Sequence, residues 1–197
     1  EMMNKYMGFF ELKDMDIPSV PWNIFDDCTK LDEGMLWTIR VAVERGADMN
    51  LPRLVGVTAR EAYEKGRELL ARYKNHGMVV YYPYFIAAKS GVMEVSSQQT
   101  VIEAVNEDLW NLVTYGKKDV TVVVINGKYE FYGEKDFLTD GELEKLLHYE
   151  RIMRQRYRDC IIEGQSILSE WSFAFNTDIR RKPIGDPYLI FYELRSV

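Results

Sequence analysis

The stretch Val120-Thr121-Val122-Val123-Val124-Ile125-Asn126-Gly127-Lys128-Tyr129-Glu130-Phe131-Tyr132 decides the fold class. Two runs of β-branched and aromatic residues flank Asn-Gly, a pair that accepts the positive backbone angles of a tight two-residue turn. The segment therefore predicts an antiparallel hairpin over Val120 to Ile125 and Lys128 to Tyr132.

Working downstream, Thr139 with Glu142 has capping-box spacing, and Leu143, Leu146, Leu147, Ile152 and Met153 can share one face. A long amphipathic helix is expected from there to about Ile161. Ile167 to Phe175 and Tyr188 to Leu194 then read as closing strands, separated by a polar, proline-marked connection. Upstream, Thr100 to Val105 reads as a strand, and so does Met78 to Ile86, with an edge or bend at Pro83. Thr58 with Glu61 repeats the capping-box spacing and opens a helix whose Ala62, Tyr63, Gly66, Leu69, Leu70 and Tyr73 recur on one face, ending before His76-Gly77. Leu36 to Val43 reads as a strand, although its length also permits a short helix. Lys5 to Asp14 reads as a helix that stops before Pro18, because each proline of Ile17 to Trp22 biases its predecessor to extended backbone. The sum is an α+β fold of mixed, largely antiparallel sheets with packed helices. No Pro/Gly/Ser linker or internal repeat divides it, so residues 1–197 read as a single compact domain.

Composition narrows the function. The chain has 197 residues, 47% hydrophobic and 28% charged, enough for one sizeable core. Twenty-five basic against thirty-one acidic side chains give a net charge of −6 with no long basic run, which argues against nucleic acid as a partner. No apolar run approaches the roughly 18 to 20 residues that span a bilayer, and the start lacks the order of a secretory signal, so no membrane partner is expected. Two cysteines, Cys28 and Cys160, supply neither a disulfide framework nor a zinc site, and the default is reduced thiols in the cytoplasm. His76 and His148 are too few for a metal cluster and read as structural helix residues. The 13 tyrosines read mainly as strand and core.

No Walker-type phosphate loop, dinucleotide fingerprint or nucleophile-and-base arrangement is present. What stands out is a series of short features in order. Lys5 precedes Ile17-Pro18 and Val20-Pro21. Arg40 lies in Thr38-Ile39-Arg40-Val41-Ala42, followed by Asp48 and Leu51-Pro52-Arg53. Then come Tyr82-Pro83-Tyr84-Phe85, Ser90-Gly91-Val92, and Glu103 within Val101 to Val105. Glu170-Trp171 and Glu193-Leu194-Arg195 close the series. Residues 193 and 195 share a strand face, because side chains alternate with period two. Taken singly, Lys5 reads as a solvated helix lysine, Arg40 equally as a surface strand position, and Glu170, Glu193 and Arg195 equally as a surface ion pair.

This order resembles the nucleotide-binding domain of the phosphoenolpyruvate synthase and pyruvate phosphate dikinase family, an ATP-grasp relative, in condensed form. The resemblance implies an ATP-grasp-like fold of two closely joined lobes and an ATP-binding, magnesium-dependent phosphotransferase-like protein. Lys5, Arg40 and Arg195 would meet nucleotide phosphates, with Arg40 and Arg195 as the catalytic pair. A lysine serves phosphate as a mobile point charge, and an arginine fork holds two oxygens. Backbone groups around Tyr82 and Tyr84 would read the adenine edge ahead of a Ser90-Gly91-Val92 turn. Glu103 would border the nucleotide, and Glu170 and Glu193 would share a magnesium ion, which takes oxygen ligands.

The resemblance has gaps. Pro52 leads through Gly56 directly into the Thr58 helix, without the family's phosphate loop and helical insertion. Leu168 and Glu193 stand where the family has an aspartate and a glutamine, and the family's acidic ribose position falls near Trp110 or Asn111. The family passes phosphate to a histidine on a separate domain, so turnover implies a partner protein carrying such a histidine or a different acceptor. The alternative is a degenerate ATP-grasp module that binds a nucleotide or a protein partner without turnover.

Overall fold

The computed structural model describes residues 3–46 and 50–197, so Asp48 lies outside the described residues. The chain opens with α1 (Lys5–Asp14), capped by Asn4, whose side chain accepts from the Met7 amide. There follow β1 (Asn23–Ile24), β2 (Leu36–Val43), β3 (Arg53–Thr58), α2 (Ala59–Tyr73), β4 (Gly77–Pro83), β5 (Phe85–Val95) and β6 (Thr100–Asn106). The second half comprises α3 (Trp110–Tyr115), β7 (Val120–Ile125), β8 (Lys128–Gly133), α4 (Asp140–Arg156), α5 (Arg158–Ile162), β9 (Ile167–Thr177) and β10 (Pro183–Ser196). No described helix is long and apolar enough to cross a membrane.

Among the described residues ten strands form two sheets, one of four in the order β1-β4-β2-β3 and one of six in the order β10-β9-β5-β6-β7-β8. Every pairing between named strands is antiparallel. The fold is therefore α+β with two antiparallel sheets, as expected. The β7–β8 hairpin turns at Asn126 (φ 50°) and Gly127 (φ 75°), the two positive angles that make Asn-Gly the fitting pair. Both capping boxes form, Thr58 with Glu61 on α2 and Thr139 with Glu142 on α4.

Alternation along the strands distributes the core among layers. Ile39, Val41 and Val43 of β2 pack with Phe25, Leu69 and Tyr73 on the α2 side of the small sheet. Its opposite face offers Ala42, Met78, Val80 and Tyr82 to Ala174 and Ile190 of the large sheet, with Phe9 of α1 and Trp22 between them. The other face of the large sheet, with Met93, Ile102, Trp171 and Phe191, packs on Leu146 and Met153 of α4. Two sheets thus share an interlayer, and each has a helix on its outer side.

Four local readings require correction. Met78 to Ile86 is two strands of different sheets: β4 ends at Pro83, Tyr84 is the crossing residue, and β5 begins at Phe85. Proline cannot donate to a ladder, so the chain leaves the small sheet there. Ser90-Gly91-Val92 forms no turn but lies inside β5, where a side chain at 91 would collide with the Glu103 carbonyl and the Trp171 ring. The long helix breaks at Tyr157 into α4 and α5. The segment from Arg53 to Thr58 is a strand paired with β2, although Gly56 interrupts its apolar alternation.

The chain segment before β1 ties into the large sheet at its β10 edge. Phe191 donates its amide to the Pro18 carbonyl at 2.8 Å, and Val20 donates to the Phe191 carbonyl at 3.1 Å. Helix α1 lies against β10 so closely that a methyl group at Gly8 would overlap the Leu194 carbonyl oxygen. Gly8→Ala is expected to lower stability by about 1–3 kcal/mol, the usual range for overpacking, because a backbone atom cannot rotate aside. Urea unfolding checks this, and an unchanged midpoint would show that α1 is not held by this contact.

Candidate functional site

Between the two sheets the apolar interlayer gives way to charge. On β10 the pairing register shifts between Phe191 and Glu193, so that Phe191 opposes Trp171 and Glu193 opposes Glu170, leaving Tyr192 as the extra residue of a bulge. Phe191 and Trp171 stay in the α4 core, whereas Tyr192 joins the interlayer clusters and Glu193 meets cations from α1 and β2. Beyond the bulge the period of two resumes, and Arg195 opposes Leu168. On β2, Ile39 and Val41 are committed to α2, which turns Arg40 to the opposite face.

The outcome is one ionic cluster. Lys5 Nζ, from the first turn of α1, lies 2.9 Å from Glu193 Oε1, and Arg40 Nη2 lies 3.3 Å from Glu193 Oε2. Arg195 Nε stands 3.9 Å from Oε1, too far for a hydrogen bond, and among the described residues this buried donor has no hydrogen-bond partner. The Glu193 side chain is 5% exposed and that of Arg40 12%, so these are not surface ion pairs. Arg40 also lies over the Phe9 ring, 5.3 Å from its centroid.

Electrostatics separates the two carboxyls. Burial works against the charge of Glu193, but Arg40, Lys5 and Arg195 outweigh it and hold the carboxyl below its ordinary value. Glu170 goes the other way. Burial, then the Glu193 charge opposite, push it up to about 7 despite Arg40, Lys5 and Arg195 nearby. Burial also opposes the Arg40 charge, yet Tyr82, Glu193 and Glu170 raise it above the usual arginine value. Tyr192, whose partly buried side chain is poorly hydrated and close to Glu170, is pushed well above an ordinary phenol, and Asp108 and Tyr82 add to the rise. At neutral pH three positive side chains therefore face one carboxylate held in its charged form and a second pushed toward its neutral form.

Of the residues singled out in the sequence, Lys5, Arg40, Tyr82, Glu170, Glu193 and Arg195 come together here. Tyr84 does not join them: its ring lies under Gly56 of β3, and Arg181 lies 6.0 Å from its centroid. Glu103 lies on the same face of the large sheet, along the row Glu193, Glu170, Val92, Glu103, about 10 Å from Glu170 at the usual strand spacing. It pairs with Lys118. Tyr192 belongs to the site, and simple alternation from Glu193 would have placed it on the other face. Among the described residues no group of three or more His, Cys, Asp or Glu is arranged to hold a metal. Among the described residues, two cavities of about 430 and 390 Å³ lie beside α4, α5 and the β5–β6 turn.

No family model matches this chain, and no curated protein matches it. The function must be argued from the cluster itself.

The two carboxyls give stability opposite pH dependences. From its ordinary 4.5 up to about 7, Glu170 stays protonated in the folded chain while the unfolded chain ionises, so its contribution falls as pH rises through that window. Glu170→Gln should therefore gain stability relative to wild type between about pH 5 and pH 8. Urea unfolding at both pH values reads this, and parallel curves would show that the carboxyl is not raised. Glu193 contributes above its ordinary range, and its contribution is lost as pH falls through its lowered value. Glu193→Ala, which strands Lys5 and Arg40, is expected to cost about 3–5 kcal/mol in the same assay at neutral pH.

Proposed function

We propose that the chain is an ATP-grasp-like nucleotide-binding protein whose phosphate site is the cluster between the two sheets. The observation that carries this reading is the convergence of Lys5, Arg40, Glu170, Glu193 and Arg195, supplied by α1, β2, β9 and β10, on one buried locus. The five follow the order along the chain that the resemblance assigns them, and their meeting at one locus supports the reading. In this reading the two sheets are the two lobes, and the interlayer is the nucleotide cleft.

The chemistry suits phosphate. Three cations outnumber the ionised carboxylates, and Arg195 holds an unused donor toward the cluster. Lys5 and the forks of Arg40 and Arg195 would bind phosphate oxygens and offset the charge that spreads over them during phosphoryl transfer. Glu170 and Glu193, directly opposed, would hold the magnesium ion that accompanies ATP, which supplies charge neutralisation at the phosphates. A divalent ion would also relieve the like-charge contact that helps to raise Glu170. The row continuing to Glu103 would border the sugar and base, with Tyr82 beside Arg40. The acceptor would be a histidine on a partner protein.

A second reading is favoured by one specific contact. Glu193 already occupies Lys5 and Arg40, so in the ligand-free chain a carboxylate sits where phosphate would bind. A module that binds a nucleotide without turnover is consistent with that internal pairing.

Calorimetry with ATP and magnesium tests the binding, with a dissociation constant expected between about 1 μM and 1 mM. Arg40→Ala should weaken it at least about tenfold, the equivalent of losing one charge-assisted contact. Absence of binding, or binding indifferent to Arg40→Ala, refutes the site. Sustained ATP consumption that disappears in a folded Glu170→Gln variant selects the phosphotransferase over the silent module.

A further inference from the structure

The two cavities share Ser97, Arg151 and Arg154 and so adjoin along one groove on the opposite side of the large sheet from the ionic cluster. The groove is lined by the turn between β5 and β6, the α4–α5 junction and the β7–β8 turn. Cavities of about 430 and 390 Å³ are of the size that takes small organic molecules.

Four arginines lie between positions 151 and 158, and the structure divides them into two kinds. Arg156 reaches across to Glu11 and Asp14 of α1. Arg154 is engaged through all three nitrogens: Nε donates to Glu150 at 2.7 Å, Nη1 to the Ser96 carbonyl at 2.7 Å, and Nη2 to the Thr100 hydroxyl at 2.9 Å. Its charge is met by buried Glu150, so Arg154 braces the turn against α4. Arg151 and Arg158 are different. Both are exposed, both line the groove from either side of the break at Tyr157, and among the described residues neither has an ion pair or a side-chain hydrogen bond. Two guanidiniums without an ion pair among the described residues thus line one groove. Beside them the wall is apolar, with Ile161 and Ile162, the latter 67% exposed, and Tyr129 lies at the far end, 50% exposed.

We propose that this groove binds a small organic anion, a carboxylate or a phosphate monoester on an apolar body. Arg151 and Arg158 hold the head group through charge-assisted hydrogen bonds, Arg154 fixes the wall behind it, and the body covers Ile161 and Ile162. The site is independent of nucleotide binding between the sheets.

Amide NMR titrations of the full chain with phenyl phosphate, benzoate, inorganic phosphate and benzyl alcohol test this. Phenyl phosphate or benzoate is expected to shift the amides from Ser97 to Thr100 saturably, and the tighter of the two identifies the head group. Inorganic phosphate, which lacks the body, and benzyl alcohol, which lacks the charge, should each bind about tenfold more weakly. The double variant Arg151→Gln with Arg158→Gln should lose about tenfold in affinity while keeping the wild-type fold, because both side chains are exposed. The inference is overturned if neither aromatic anion shifts these amides saturably, if the double variant binds as tightly as wild type, or if benzyl alcohol binds equally well. Shifts confined to residues around Lys5, Arg40 and Glu193 also overturn it, and would report on the interlayer cluster instead.

Discussion

Glu193 and Glu170 stand directly opposite each other on neighbouring strands, an arrangement that repels unless something supplies positive charge. Three segments far apart in sequence supply it. Helix α1 brings Lys5, and β2 turns Arg40 inward because its neighbours are committed to α2. Arg195 follows two residues after Glu193 on the same strand. The way the sheets and α1 meet is tied to this requirement. The close approach at Gly8 sets Lys5 against β10, the bulge at Tyr192 aims Glu193 into the interlayer, and the shared cluster of Ala42, Val80, Tyr82, Ala174 and Ile190 fixes Arg40 opposite it.

Stability alone does not account for such a cluster. Taking charges out of water costs several kcal/mol per ion, and a well-packed apolar replacement of a buried ion pair is often neutral or stabilising. The adjoining interlayer shows that this fold can build such packing, since it fills the same gap with Phe9, Trp22, Val80 and Ile190. A cluster that leaves Glu170 partly protonated at neutral pH and the Arg195 Nε donor unused is poorly satisfied as a structural element. Perturbed, incompletely paired groups gathered at one place are what the proposed binding site rests on.

What was legible in the sequence is what local chemistry decides. Asn126-Gly127 fixed its own turn, and the Thr58 and Thr139 boxes marked the starts of their helices, because the groups that satisfy these structures lie within four residues. The readings that failed depend on distant partners. Helix α4 stops at Tyr157, whose hydroxyl donates to Glu11 at 2.7 Å, a contact across 146 residues that no periodicity encodes. The strand β3 is short and interrupted by Gly56, and is held as a strand by pairing with β2 across a register shift. The site was legible in part. The spacing of Glu193 and Arg195 carried their shared face, but Tyr192 enters through a bulge that alternation hides, and Tyr84 was lost where Pro83 sends the chain from one sheet to the other.

Charge balance narrows what the cluster suits. A phosphate group alone would be drawn to Lys5, Arg40 and Arg195 but would meet Glu193 already between two of them. A divalent cation alone would be drawn to Glu170 and Glu193 but would meet three positive side chains within the same locus. Either ion by itself leaves a like-charge contact in a partly buried space, where screening is weak. A ligand that brings both signs together resolves both conflicts. In the proposed reading its cation would take the carboxylates and its anion the released lysine and arginines, so that the internal pair would open without stranding either partner. A magnesium-bound polyphosphate, the ligand proposed above, has that composition, and removing either sign of charge from the cluster would make it a poorer host for such a ligand.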